Sequence, residues 1–511
     1  MQPHSSVLSR WERGAKEIAM GSHAEPLHLV FFPFLARTHM IPMLETARLA
    51  AERGVRVTLV TTPANAHLVQ PTLDRVNSYT SPSHPPMELR LIPFPAAENG
   101  LPDGCENLTA VPIQLAYNFY AAVFGLRAPF DALLRDLHPD ALISDAIFPW
   151  TTALASEQGI PRLIFQVIGL LTLCASNDLD LYRPYEAVSG RGEPFAIPGF
   201  PHPIKLTRAE VPEAFDYPYM LGLLREAELT SYGVVVNSFY DLEPDYAKHY
   251  KKVGPREVYI VGPVAIAGVQ PQEGGKEDAA RDPCLSWLDG KPDDSVVYVS
   301  FGTLCRFSNA QLQELALGLE ASGHPFLWTV RADGGVGEGW MPEGYEGRVA
   351  GRGIVARRWV PQREILAHRA VGGYVVHCGW NSVTEAVYSG MPIITWPLHS
   401  EQFVNEKLLV DVLGVARSML EGFKSVVEGE KELVKAETVA RSVAWLMGDS
   451  PEVQAVRKRM KELGEAAARA VQEGGSSHDD MGRMIQGLTA CRVQRAKAGK
   501  SVICLAGPES I

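Results

Sequence analysis

Two stretches of this chain carry side chains whose types and spacing suit chemistry on a polar ligand. One is Arg37-Thr38-His39-Met40, between an apolar run and a helical pattern. A loop there would lie at the carboxyl end of a strand, where α/β folds place catalytic groups. A histidine near neutral pH can take a proton from an alcohol or phenol. The other is His377-Cys378-Gly379-Trp380-Asn381-Ser382, after the apolar run Gly373-Tyr374-Val375-Val376. A helix starting near Asn381 would offer free N–H groups and a positive dipole end, which suit a diphosphate. Gly379 allows close backbone approach, and His377 adds a donor. Asp145 closes the apolar run 141–145. Its carboxylate can accept from one ring nitrogen of His39, fix the tautomer and stabilise the imidazolium. Plainer roles fit the same residues. Asn381 and Ser382 sit where helix caps sit, His39 could cap a helix or face solvent, and Asp145 could cap a helix near Pro149. Thr303, in Ser300-Phe301-Gly302-Thr303, could simply turn a strand end.

These groups need strands to carry them. Residues 27–34, 56–62, 88–92, 141–145, 163–167 and 234–237 read as strands of the first half. Residues 42–53 read as a helix, with Pro42 in its first turn and Gly54 as its stop. Strand–helix alternation predicts βαβ units and a parallel sheet. The stretch AIAGVQPQEGGKEDAARD (265–282) reads as a linker. Beyond it the alternation restarts, with strands at 295–300, 325–330, 354–359, 373–376 and 393–396. Helices are expected at 309–321, 436–447 and 451–472. This divides the chain into an N-terminal α/β domain (25–264) and a C-terminal one (283–470), with ligands in the cleft between them. Residues 471–490 are expected as a helix packing back on the N-terminal domain, 1–24 as a disordered extension and 491–511 as a tail.

Composition excludes several classes. The 511 residues are 46% hydrophobic and 21% charged, ordinary for a globular enzyme. With 48 Lys and Arg against 59 Asp and Glu, the net charge of −11 argues against a nucleic-acid or acidic-membrane partner. The seven cysteines form no CxxC, so neither a zinc ribbon nor a dithiol site is indicated, and reduced cytosolic thiols are expected. No apolar run approaches the roughly 18 residues of a membrane span. The first 19 residues lack the apolar core of a signal peptide. The sequon at Asn107 is therefore expected to be silent. No GxGxxG follows the first strand, which weighs against a nicotinamide dehydrogenase.

The stretch WVPQREILAHRAVGGYVVHCGWNSVTEAVYSGMPIITWPLHSEQ, from Trp359 to Gln402, resembles the 44-position signature box of the plant family 1 UDP-glycosyltransferases. Trp359, Pro361, Gln362, His368, Gly373, residues 377–382, Glu385, Gly390, Pro392, Pro397, Glu401 and Gln402 fall on the motif. The resemblance covers about residues 25–488. It implies a GT-B architecture: two Rossmann-like domains with parallel sheets facing across a cleft. It also assigns roles. Trp359, with Val360 beside it, would stack on uracil, Gln362 would bond near the uridine, and Glu385 would accept from the ribose hydroxyls. Thr303, His377, Gly379, Asn381 and Ser382 would hold the diphosphate. Trp380, Glu401 and Gln402 would face the sugar, and Trp380 with Gln402 indicates glucose. His39 becomes the general base and Asp145 its support, in one displacement that inverts the anomeric carbon. No cofactor or metal is expected; UDP-glucose is a co-substrate. The expected enzyme is a cytoplasmic monomer whose partners are a UDP-sugar and a small apolar acceptor.

Some positions depart from the family. Thr38 stands where many relatives have Gly, and Arg37 is a bulky cation that would either lower the basicity of His39 or lie in solvent. No Thr or Ser precedes Thr172 in the stretch where relatives contact the sugar's 6-hydroxyl. Variable segments at 100–106, 114–126, 170–183 and 200–217 are expected to form the acceptor pocket. Their Leu, Phe, Tyr and Met content suits a flavonoid, terpenoid, steroid or phenolic. Attack through an aromatic carbon, or UDP-sugar binding without turnover, are the rival readings.

Overall fold

A computed structural model of the chain describes residues 25–78, 85–265, 282–303, 305–330 and 339–498. The expected extension at 1–24 and nearly all of the expected linker lie outside the described residues. Strands β1 (His28–Phe32), β2 (Arg56–Thr61), β3 (Glu88–Leu91), β4 (Ala141–Asp145) and β5 (Arg162–Gln166) belong to the first sheet. A short antiparallel hairpin, β6 (Pro194–Ala196) and β7 (Lys205–Thr207), follows. Strands β8 (Gly233–Val236) and β9 (Glu257–Ile260) complete the first sheet, in the order β3-β2-β1-β4-β5-β8-β9. The second sheet holds β10 (Val296–Ser300), β11 (Phe326–Thr329), β12 (Gly353–Ala356), β13 (Val371–Val376), β14 (Ile393–Thr395) and β15 (Ala416–Ser418). Its order is β12-β11-β10-β13-β14-β15. Every pairing in both sheets is parallel. This is the GT-B arrangement. The edge strands β9 and β15 were not among the strands read from the sequence.

The apolar strands are explained by cover on both faces. In β1, Leu29 and Phe31 enter one core cluster while Val30 and Phe32 enter another, as alternating side chains must. Each sheet reverses its order once. In the first sheet the reversal lies between β1 and β4, and in the second between β10 and β13. Such switch points open a crevice at the carboxyl ends of the strands. His39 and Asp145 follow or end β1 and β4, while Thr303 and His377 follow β10 and β13.

The halves are joined by packing as well as by chain. Helix Leu170–Tyr182 meets helix Gln402–Lys407, where Thr172 Oγ1 donates to Asn405 Oδ1 at 2.8 Å. Trp380 is buried, and its indole N–H donates to the Asn237 carbonyl at 2.8 Å. Gly169 makes room for that ring, since a Cβ there would stand 2.6–2.8 Å from it. Gly169→Val is therefore expected to force the halves apart locally, costing about 1–3 kcal/mol. A lowered melting temperature with red-shifted tryptophan emission would register it.

The last helix runs Ser476–Ala498, eight residues beyond the end expected at 490. Its sequence stays rich in helix formers until Gly499, which is the physical reason. Met481, Met484 and Leu488 enter the core of the first sheet. Asp480 accepts from Ile260 N at 2.8 Å and Arg483 donates to the Val258 carbonyl, so the helix covers the open edge of β9.

Candidate active site

The His39 side is built on the β1–β4 crevice. Helix Arg37–Ala51 begins five residues before the expected start at Pro42, so His39 occupies its first turn rather than a loop ahead of it. Pro42 thus stands inside the helix. His39 Nδ1 lies 2.9 Å from Asp145 Oδ2. A carboxylate only accepts, so Nδ1 carries the proton and Nε2 keeps a lone pair for the cleft. The Asp145 side chain is 1% exposed and that of His39 20%, leaving an imidazole that ligands can reach over a sheltered carboxylate. Asp145 Oδ1 accepts from Ile147 N at 3.1 Å, which forms a turn. It caps no helix, because the next one, Trp150–Glu157, has Pro149 at its N-cap.

Sequence reasoning missed what lies beneath Asp145. Arg162, at the start of β5, is buried and donates to Ser144 Oγ, Thr152 Oγ1 and Ser231 Oγ. It also donates to the carbonyls of Asp145 and Phe148. Burial pulls its guanidinium down to about 9, partly offset by Asp145 and Glu228. It therefore remains a cation at neutral pH, held by its five acceptors directly under the end of β4. A charge inside the run Ile160-Pro161-Arg162-Leu163-Ile164 was the available signal.

Across the cleft, helix Trp380–Tyr388 starts immediately after the β13 turn. Its N-cap is Gly379, with no side-chain cap bond. Asn381 and Ser382 are thus inside the first turn and do not cap it, contrary to the plainer reading. The Trp380 N–H faces the Glu401 carboxylate, and the N–H groups after it in the turn have no capping side chain and can meet a ligand. His377 Nε2 is wedged between Gly302 and Gly379, where added Cβ atoms would stand 2.7 and 2.5 Å away. Burial, with help from His399, pushes the His377 imidazole down to about 3. It is a neutral donor, not a cation.

That shift has a sign. Below the ordinary value of 6.5 the unfolded chain binds a proton that folded His377 refuses. Its contribution to stability is full above 6.5 and is lost as the pH falls toward about 3. The slope should approach about 1.4 kcal/mol per pH unit for this group. His377→Gln should flatten it in denaturant titrations across that window.

The remaining positions divide into reachable and occupied groups. Trp359 is 64% exposed and offers an indole face. Arg37 points neither at His39 nor into open solvent, but sits over that ring with Cζ 5.3 Å from its centroid. Val360 is buried beside it. The Gln362 carboxamide is taken: Oε1 accepts from Tyr298 and Tyr374, and Nε2 donates to Ser382 Oγ and Glu385 Oε2. Glu385 also accepts from Arg363 and has lone pairs left for hydroxyls. Burial raises its carboxyl, with Arg363 opposing. Gln402 Oε1 accepts from the backbone of Leu398 and His399, leaving Nε2 near His399 and Cys305. Burial also raises Glu401, which a backbone hydrogen bond and the His39 ring oppose. Trp380 cannot bond a sugar through its indole N–H, which Asn237 holds. Thr172 likewise has its hydroxyl on Asn405.

One cleft of about 1170 Å³ gathers all of these. Its walls include His39, Asp145, Thr303, Trp359, Val360, Gln362, His377 and Gly379–Ser382, with Glu385, Glu401 and Gln402. Thr303 Oγ1, His377 Nδ1, Asn381 Oδ1 and Asn177 Nδ2 line it as buried polar atoms without a hydrogen-bond partner among the described residues. Unpaired buried groups are costly, so four in one cleft call for a polar ligand. On the N-terminal half Leu68, Ile168, Leu173, Phe215, Leu221 and Leu224 give an apolar wall. Of the four expected acceptor segments, 114–126 does not reach it, because Phe119, Ala122 and Val123 are drawn into the core. Among the described residues no cluster of three or more His, Cys, Asp or Glu is arranged for a metal ion. No described helix is long and apolar enough to cross a membrane.

Known proteins share this construction. The family model described as "UDP-glucoronosyl and UDP-glucosyl transferase" matches residues 277–425. Scopoletin glucosyltransferase of Nicotiana tabacum is 41% identical over 476 residues, covering 91% of this chain and 98% of that protein. UDP-glucose flavonoid 3-O-glucosyltransferase 7 of Fragaria ananassa is 42% identical over 476 residues, covering 90% and 96%. The crystal structure of Glycyrrhiza uralensis UGT73P12 with glycyrrhetinic acid 3-O-monoglucuronide superposes with a TM-score of 0.85 at 36% identity, covering 92% of this chain and 97% of that one. The chain belongs to the plant family 1 UDP-glycosyltransferases, GT-B enzymes that transfer a sugar from a UDP donor.

Proposed function

We propose that the enzyme moves glucose from UDP-glucose to a hydroxyl of a small, largely apolar plant metabolite, with inversion. The observation that carries this reading is the His39–Asp145 pair facing, across one cleft, the unpartnered Thr303, His377 and Asn381 atoms. His39 Nε2 takes the acceptor proton as the oxygen attacks the anomeric carbon, and Asp145 stabilises the imidazolium. The bond to UDP breaks on the opposite face. The growing charge on UDP meets the first N–H groups of helix Trp380–Tyr388, the Thr303 hydroxyl and neutral His377. Trp359 stacks on uracil, Glu385 accepts from ribose, and Glu401 and Gln402 face the hexose. The two halves act as acceptor domain (25–264) and donor domain (283–470), with no resident metal or cofactor.

Relatives named for scopoletin and for flavonoids support a flat phenolic acceptor, as does the apolar wall. The six described cysteines form no disulfide, which supports a cytosolic enzyme. We take it to work there as a monomer. Incubation with UDP-glucose and a panel of hydroxylated plant metabolites, read by mass spectrometry, should show gain of one hexose. UDP-galactose, UDP-xylose and UDP-glucuronate should serve less well. A preference for any of them over UDP-glucose would overturn the donor assignment.

A further inference from the structure

We infer that Asn381 is a positioning residue for His39, acting through the Thr38 carbonyl that Pro42 leaves open; this rests on His39 being the base proposed above. In an α-helix the carbonyl of residue 38 accepts from the N–H of residue 42. Pro42 has no N–H, so inside helix Arg37–Ala51 that carbonyl loses its own partner. Asn381 Nδ2 replaces it at 2.6 Å, a contact between residues 343 positions apart. The N-cap of that turn, Ala36, makes no side-chain cap bond, and its carbonyl accepts from His39 N and Met40 N at 2.9 Å, which leaves the Thr38 carbonyl to Asn381. His39 is the next residue along.

A second contact grips the same turn. Arg37 rests on the Trp359 ring, so both residues before the base are engaged by the segment 359–402. Asn381 is also the second residue of helix Trp380–Tyr388, whose start faces the donor. One carboxamide therefore ties the turn carrying the base to the helix end that receives the diphosphate. Its Oδ1 has no partner, so Nδ2 alone holds the side chain to the opposite half. A base displaced by even a fraction of an ångström loses much of its effect, which makes the turn's order a kinetic quantity.

The test reads hydrogen exchange as well as rate. In ligand-free Asn381→Ala, amides of the first turn around His39 should exchange about tenfold faster. At saturating UDP-glucose its kcat should fall about tenfold or more. Ser382→Ala, one residue along the same helix, should leave that exchange unchanged. Adding Pro42→Ala to Asn381→Ala restores an N–H to the Thr38 carbonyl and should slow exchange back toward wild type. If Asn381→Ala does not fold, Asn381→Ser makes the same loss more gently. Unchanged exchange, unchanged kcat, or no recovery on adding Pro42→Ala would overturn the inference. A wild type that transfers no hexose would sink the proposed function and leave the exchange result standing. A transferring wild type that Asn381→Ala matches in both readouts would sink this inference alone.

Discussion

Replacing His39 with alanine is expected to lower kcat for hexose transfer by about 10²–10⁴-fold, the usual worth of a general base. The same variant should bind UDP about as well as wild type. The unpartnered atoms Thr303 Oγ1, His377 Nδ1 and Asn381 Oδ1 lie on the other half and lose nothing when the imidazole goes. Initial rates paired with calorimetric titration of UDP separate the two effects. Unchanged turnover would remove His39 from the mechanism. A parallel loss of UDP affinity would recast it as a donor-binding group.

Asp145→Asn should cost a comparable factor, about 10²–10⁴. The substitution keeps the shape and changes the sense of one hydrogen bond. Asp145 now accepts from Nδ1, which leaves the Nε2 lone pair free. An amide N–H turned toward the ring would favour a bare Nδ1 and a protonated Nε2, which cannot accept from a hydroxyl. It would also withdraw the charge that stabilises the imidazolium. Because the two residues act as a unit, the double variant His39→Ala/Asp145→Asn should be no slower than the slower single one. Multiplied losses would mean that Asp145 works independently of the imidazole.

Much of this architecture could be read from local pattern. Alternating apolar runs and helices foretold two parallel sheets, because strands covered on both faces must be apolar throughout. The segment from Trp359 to Gln402 pointed to the family, since spacing along a strand, turn and helix survives in sequence. Local pattern failed where a long-range contact decides. Pro42 suggested a helix start, yet the helix begins at Arg37, and the carbonyl freed by the proline is met by Asn381 from the other half. The indole N–H of Trp380 is held by the Asn237 carbonyl, 143 residues away, an anchor that no local pattern announces. Both ends of the Gln362 amide meet Tyr298, Tyr374, Ser382 and Glu385, partners that its place in the sequence does not announce. Arg162 went unremarked because its partners are hydroxyls and carbonyls gathered from three separate segments.

The proposed transfer is a single in-line displacement, with His39 Nε2 taking the proton on one side of the sugar while UDP leaves from the other. The anomeric configuration of the product, read by proton NMR after transfer from UDP-α-glucose, tests this most directly. A β-linked glucoside is the predicted result. An α-linked product would require a second displacement or front-face attack, and would contradict the roles given to His39 and to the diphosphate crevice together.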